Sequence, residues 1–304
     1  MLVLIAGITG MCGQPVAKEA MAKGHDVRGL ARHPDKLDKD LASKLEGFVK
    51  MKNVYDMTAL EEAVKGVDAV ICAYTPKPEL VVEGQLLLLR AAERAGVKVF
   101  HAASWNFDWT RNQLGDLETY DWYISFAHHA KLSSTVKPIF GFTGAILEYM
   151  FINANFNTNR SNLIDGDSQT INFFEDGSKP SIYIAVDDLA AYTIRAISEP
   201  DATEGGSYRV ESFRMSPQEI AEVYEQVRGI KLNWKSHGSS QDLEKMLAQA
   251  REDLSPLDFE KYIDLGYSKY LLNGTWDIES TDSKRWGDIK QTQLREWLKA
   301  HPEV

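Results

Sequence analysis

The chain has 304 residues, 44% hydrophobic and 26% charged, the balance of a soluble globular protein with one large core and a smaller appended lobe. Its 44 acidic against 34 basic residues give a net charge of −10, which argues against a nucleic-acid binder that works by neutralising phosphates. No apolar run reaches the length of a membrane span, and Met1–Gly7 is too short, and lacks the basic flank, for a signal peptide. Only Cys12 and Cys72 are present, with no CxxC or Cys/His cluster, so neither a disulfide framework nor a zinc site is expected. The expected location is cytoplasmic.

Leu2 to Ala6 is a continuous apolar run, the mark of a strand buried on both faces. A glycine-rich turn follows, then a helical pattern from Pro15 to Lys23, with proline suited to its first turn and Gly24 to its stop. Val27–Arg32 reads as a second strand, Val49–Val54 as a third and Val67–Ala73 as a fourth, with a short helix around Leu60–Val64. Leu80–Ala95 is a leucine-rich helix closed by Gly96, and Val97–Ala102 is a fifth strand. Strands alternating with helices at this spacing predict an α/β fold, a Rossmann-type doubly wound parallel sheet.

Past about residue 140 the pattern loosens. Asn153–Gln169 is polar and Asn-rich and reads as a surface loop; Ile182–Val186 reads as a late strand followed by a helix Leu189–Ile197. Ser216-Pro217-Gln218-Glu219 is a capping box that opens a helix stopped by Gly229, and Ser255-Pro256-Leu257-Asp258 repeats its grammar. Lys290–Ala300 closes the chain as a helix. The expected division is a nucleotide-binding domain over 1–150, with a return segment near 182–198, and a smaller, mainly helical substrate lobe over 151–304.

The glycine turn carries the most information. In Gly7-x-x-Gly10-x-x-Gly13 the first glycine permits the tight turn, the second admits a pyrophosphate to the backbone, and the third lets helix and strand pack closely. The following helix N-terminus offers free N–H groups and a positive dipole to phosphates. A plain strand-to-helix turn is the alternative. At the end of the second strand an NAD site places an acid on the ribose, but here the strand ends in Arg32, with Lys36 nearby. A guanidinium and an ammonium there suit a 2′-phosphate, so the expected cofactor is NADP(H). The expected cofactor-binding residues are Gly7, Thr9, Gly10, Met11, Gly13, Arg32, Lys36, Ala73 and Ser104.

Gly7–Gly13, Val27–Arg32 with Lys36, Val67-Asp68-Ala69-Val70 and Ala95–Phe100 together resemble the NmrA-like family of atypical short-chain dehydrogenase/reductases, akin to isoflavone and phenylcoumaran benzylic ether reductases. The resemblance is tight to about residue 105 and looser to about 230, where Thr143-Gly144-Ala145 with Glu148, Val186–Ala190 and Ser216–Glu225 echo it. It implies a Rossmann domain, NADP(H) and a small substrate lobe. It also implies a hydroxyl near the nicotinamide, matched by Ser104, and a lysine on the helix after the fifth strand. The position matching that lysine is Ala127, four residues after Tyr123. Lys131 stands one turn further along.

Three acid–base candidates follow: Tyr123, His128 and Lys131. With alanine at 127 no ammonium assists a tyrosine, whose ordinary pKa near 10 makes it a slow proton shuttle at neutral pH, whereas a histidine near 6.5 needs no help. That favours His128. Between Trp105 and Phe126 lie seven aromatic residues in 22, against a chain average of 10%. Trp105, Phe107, Trp109 and Trp122 are the expected walls for a flat, apolar, small-molecule substrate; local packing of a loop is the plain alternative. Three functions fit: an NADP(H)-dependent reductase of a hydrophobic aromatic or polycyclic secondary metabolite; a cyclase or isomerase on the same scaffold; and a non-catalytic NADP sensor that binds a regulatory protein. The asparagines of Asn159-Arg160-Ser161 and Asn273-Gly274-Thr275 match glycosylation sequons without a leader that would give them meaning.

Overall fold

Leu2–Ala6 forms β1, buried along all but its first residue, and its apolar run puts it in the middle of a sheet. The computed structural model describes residues 1–151, 163–165 and 168–304. In chain order, β1 is followed by α1 (Gly13–Ala22), β2 (Asp26–Ala31), α2 (Lys39–Lys44), β3 (Gly47–Lys50), α3 (Met57–Ala63), β4 (Ala69–Cys72), α4 (Gln85–Arg94), β5 (Val99–His101), α5 (Glu118–Ser133) and β6 (Ile139–Phe142). Later come α7 (Val186–Ser198) and β11 (Gly206–Arg209). These strands make one seven-stranded sheet, all parallel, in the order β11-β6-β5-β4-β1-β2-β3. The order reverses between β1 and β4, which opens the crevice at their C-terminal ends where such sheets take ligands.

The chain divides into two compact units, and the division is not a single cut. Unit 1 holds Met1–Trp105, Thr119–Phe142 and Val186–Arg209, and unit 2 holds Asn106–Glu118, Thr143–Ala185 and Val210–Val304. The sheet forms unit 1. One of its cores joins Leu4, Leu30, Val70 and Phe100 of the strands to Leu60, Leu88 and Leu89 of α3 and α4 and to Phe126 of α5. Fully burying such a side chain contributes about 1.5–3 kcal/mol.

Unit 2 contains β7 (Ala145–Ile146), α6 (Leu147–Phe151), β8 (Ile164–Asp165), β9 (Thr170–Phe173), β10 (Ser181–Ile184), β12 (Phe213–Met215), α8 (Pro217–Arg228), β13 (Asn233–Ser236), α9 (Ser240–Asp253), α10 (Ile263–Leu272), α11 (Thr281–Arg285) and α12 (Leu294–Ala300). It carries two three-stranded sheets, β12-β10-β7 and β13-β9-β8. The late strand expected at 182–186 is therefore β10 of a small sheet, pairing with β7 and β12, while the helix after it belongs to unit 1. The capping box at the start of α8 forms in both directions, and Gly229 ends the helix at φ 69°. Of the Asn-rich loop expected over 153–169, residues 153–162 and 166–167, with the sequon at Asn159, lie outside the described residues; 164–165 and 168–169 frame the β8–β9 turn. Among the described residues no helix is long and apolar enough to cross a membrane.

Candidate functional site

The turn after β1 is built by close backbone approach. Gly7 N donates to the Leu30 carbonyl at 2.8 Å, and Gly10 N donates to the Gly7 carbonyl at 2.9 Å. Gly7 has φ 84°, and a Cβ there would stand 2.5 Å from the Ala73 carbonyl oxygen. A Cβ on Gly13 would stand 2.4 Å from the Gly7 oxygen and 2.8 Å from Ile8 Cα. Both glycines are required by the fold itself. Gly10 is different: a Cβ there meets only the Gly7 oxygen at 3.2 Å and the Ala73 oxygen at 3.9 Å. Its open side, with the first turn of α1 behind it, is the cradle a pyrophosphate fits. Thr9 and Met11 stand half-buried on the same turn.

Arg32 follows β2 directly, and Lys36 lies in a 3-10 turn over Pro34–Lys36. Both are exposed, and neither has an ion-pair or hydrogen-bond partner for its side chain among the described residues. The contrast with Arg28, on the same strand, is instructive. Its guanidinium grips Glu46 through two bonds of 2.8 Å and also donates to the carbonyls of Ala63 and Lys65. Arg28 is a structural cation; Arg32 and Lys36 are uncommitted ones beside the glycine turn.

Sequence reasoning missed two residues that frame this site. Tyr74, after β4, is buried, so its phenol is pushed far above the ordinary range, with the Arg32 charge nearby opposing that shift. Its ring lies 3.3 Å from where a Cβ of Gly7 would be. Gln85 is fully buried at the head of α4, after a π-helical turn over Glu79–Gly84. Its amide donates to the Val81 carbonyl at 3.3 Å, and its carbonyl accepts the Ala103 N–H at 2.6 Å, so it braces the chain leaving β5. The one sequence signal was a polar residue inside an otherwise leucine-rich helix.

Ser104 does not offer a free hydroxyl. It is 1% exposed, its Oγ accepts from Gly141 N at 2.9 Å, and the hydroxyl donates toward the Ala102 carbonyl at 3.3 Å. These bonds tie the segment after β5 to β6.

The acid–base candidates separate on α5. Tyr123 is buried with Tyr120, Phe126 and Ala130, its ring 6.1 Å from that of Tyr120. His128 and Lys131 are exposed, with His129 and Leu132, and Ala127 is half-buried. Residues five apart on a helix point about 140° from one another, so Tyr123 and His128 do not share a face. The two candidates therefore stand on different sides of the helix.

The aromatic segment also separates. Phe107 and Trp109 are each 4% exposed. Phe107 stacks on Trp276 at 4.7 Å with planes 6° apart, and Trp276 donates from Nε1 to Asn112 at 2.9 Å. Both residues expected as substrate walls are thus buried, Phe107 against Trp276 within unit 2. Trp105 and Trp122 are both half-buried and belong to unit 1. Among the described residues no group of three His, Cys, Asp or Glu side chains is placed to hold a metal, and neither Cys12 nor Cys72 is in a disulfide.

A model of the NmrA-like family matches residues 1–298. The chain is 27% identical over 321 aligned residues to a bifunctional pinoresinol-lariciresinol reductase of Linum album, covering 98% of this chain and 94% of that one. Among solved structures it is similar to the leucoanthocyanidin reductase–NADPH binary complex from Vitis vinifera, with a TM-score of 0.80, 19% identity and full coverage of both chains. It is also similar to AtPrR2 with NADP+ and (+)pinoresinol, with a TM-score of 0.76, 21% identity and 98% and 97% coverage. At these identities the structural likeness establishes the fold.

Proposed function

The chain belongs to the NmrA-like family, and from that premise we propose that it is an NADP(H)-dependent oxidoreductase acting on a small, hydrophobic, aromatic metabolite. The observation that carries this reading is the pair of uncommitted cations, Arg32 and Lys36, beside a glycine turn whose one open position is Gly10. Gly7, Thr9, Gly10 and Met11, with the first turn of α1 beyond Gly13, would hold the pyrophosphate, and the Ala73 backbone closes the other side of the turn. Arg32 and Lys36 would hold a 2′-phosphate, the guanidinium by a forked pair of charge-assisted bonds. The cofactor supplies hydride. Tyr123 is the proton donor we assign, because His128 and Lys131 stand on the solvent side of α5. In this reading Ala127 stands where related reductases place a lysine, so no ammonium orients the nicotinamide ribose from that position. The relatives named as pinoresinol-lariciresinol reductases, and the half-buried indoles of Trp105 and Trp122, support a flat aromatic substrate. The test is NADPH oxidation with pinoresinol as probe, followed by absorbance and by product mass. A product heavier by two hydrogens supports the reading, and no turnover with pinoresinol or a panel of lignans and isoflavonoids counts against it.

A further inference from the structure

The backbone leaving β5 is held from both sides within unit 1. Toward β6, Ala102 N donates to the Ile139 carbonyl at 2.9 Å, and Gly141 N donates to Ser104 Oγ at 2.9 Å. N–H groups alternate in direction along a strand, so that of Ala103 turns toward the β4 side. The β4–β5 pairing ends at Ile71 with His101, and Ala103 lies beyond it. Gln85 of α4 supplies the acceptor, its Oε1 2.6 Å from Ala103 N in a buried contact. The N–H groups of Ala103 and Tyr74 also face the Cys72 sulfur at the end of β4. Burial pushes that thiol up to about 12, and the two N–H groups oppose the shift.

The Gln85 side chain is itself fixed by the π-helical turn before it. An α-helical turn would pair its backbone N–H with the Val81 carbonyl, four residues back. Here that N–H goes to the carbonyls of Leu80 and Val82, and the side-chain Nε2 donates to Val81 instead, at 3.3 Å. The two partners assign the ends of the carboxamide. Reversing it would set oxygen against the Val81 carbonyl and N–H against the Ala103 N–H. The turn is closely packed as well, since a Cβ on Gly84 would stand 3.0 Å from Val54 Cβ. Turns of this π type concentrate at functional sites.

The strand order gives the direction in which a dinucleotide would lie. Strands β5, β4, β1 and β2 stand side by side. With the pyrophosphate over the turn after β1 and the 2′-phosphate at Arg32 after β2, the adenosine half runs toward β2. The nicotinamide half then runs the other way, across the ends of β4 and β5. The end of β4 is tied to β1, Ala73 N donating to the Ala6 carbonyl at 2.7 Å, and Cys72 and Gln85 carry that tie on to the end of β5. We propose that Gln85 is a positioning residue for the nicotinamide half of the cofactor: its carboxamide fixes the Ala103 backbone, and with it the β5 exit over which that half lies. The proposal rests on the NADP(H) reading above.

Calorimetric titration with two probes tests it: NADPH, and adenosine 2′,5′-bisphosphate, which carries the adenine and the 2′-phosphate but no nicotinamide. Gln85→Leu keeps most of the side chain's bulk and removes both bonds. It is expected to weaken NADPH about tenfold while holding the bisphosphate within about twofold of wild type. In Gln85→Glu, burial keeps the carboxyl neutral at about pH 6, where it can make both bonds, and lets it ionise toward about pH 9. That variant is expected to match wild-type NADPH affinity at the lower pH and to fall behind it at the higher. In the wild type without cofactor, the Ala103 amide is expected to exchange with solvent at least about 10²-fold more slowly than an unprotected amide. A Gln85→Leu protein that weakens both probes alike, or neither, overturns the proposal. So does an unprotected Ala103 amide, which decides the matter even if the variants fail to fold. A wild type that binds neither probe contradicts the NADP(H) reading, and the proposal falls with it; one that binds both leaves that reading standing whichever way the variants behave.

Discussion

Arg251 grips Glu118 in a forked pair, Nε to Oε1 at 2.8 Å and Nη2 to Oε2 at 3.0 Å, across 133 residues of sequence. The same Nη2 donates to the Asp116 carbonyl at 2.9 Å, Tyr262 donates to Glu118 at 3.1 Å, and Tyr270 donates to the Asp116 carbonyl at 3.0 Å. Arg251 of α9, Tyr270 of α10 and Tyr262 just before α10 thus hold Asp116 and Glu118 within unit 2. Burial beside Glu118 pushes the Tyr262 phenol up to about 12.

Removing this clasp is expected to destabilise the protein without touching the glycine turn. Arg251→Met should cost about 1–3 kcal/mol, the range for hydrogen bonds to charged groups with side chains about a third exposed. Denaturant unfolding measures it. A cost below about 0.5 kcal/mol would mean that the pair is a surface contact with no structural weight.

The glycines are expected to divide by cause. Gly13→Ala should lose at least about 2 kcal/mol, because its Cβ would overlap backbone atoms that cannot move aside. Gly10→Ala should retain nearly all of its stability but bind NADPH at least about tenfold more weakly, since its methyl group enters the space of the pyrophosphate. Thermal melts with and without NADPH separate the two. A Gly10 variant that binds normally would remove the phosphate from this turn.

Glu93 supplies a pH dependence. Its carboxylate accepts from Thr135 N at 2.6 Å, from Thr135 Oγ1 at 2.8 Å and from Arg90 at 3.1 Å, and these bonds, the backbone one foremost, hold it near about 2 against an ordinary 4.5. A carboxylate with a depressed pKa binds protons more readily unfolded than folded. Its stabilisation is therefore full above pH 4.5 and is lost as pH falls toward about 2. Water screens so shallow a site, so Glu93→Gln should cost about 1 kcal/mol at neutral pH. The gap between wild type and variant should shrink through that acid window; a gap independent of pH would contradict the assignment.

How far the sequence reached can be seen residue by residue. Leu2–Ala6 and the capping box at Ser216 and Glu219 are local patterns, complete within a few residues, and they form as expected. Strands β6 and β11 escaped because Ile139–Phe142 is short and interrupted by Gly141, Gly206–Arg209 is short and begins on a glycine, and each becomes a strand only by pairing with a distant neighbour. The aromatic density at 105–126 was visible, but the packing of Phe107 within it depends on Trp276 and Tyr267, far along the chain, which no window on the sequence brings together. The bond from Gly141 N to Ser104 Oγ was hidden for the same reason, since the two residues lie far apart in sequence.

The proton donor can be identified by substitution. Tyr123→Phe should lower kcat by about 10²–10⁴, the usual weight of a positioned proton-transfer group, whereas His128→Ala and Lys131→Ala should stay within about threefold. Steady-state rates with NADPH and a turned-over substrate decide it. An inactive His128 variant would restore histidine as the acid and show that the solvent face of α5 meets the substrate.

The central claim is that Arg32 and Lys36 select the phosphorylated dinucleotide. Calorimetric titration of NADPH and NADH into wild type and Arg32→Ala tests it most directly. The wild type should bind NADPH at least about tenfold more tightly, because one charge-assisted contact of about 1.5–3 kcal/mol amounts to one to two decades of affinity. Arg32→Ala should lose most of that preference while binding NADH as before. Equal affinities for the two dinucleotides in the wild type would contradict the account.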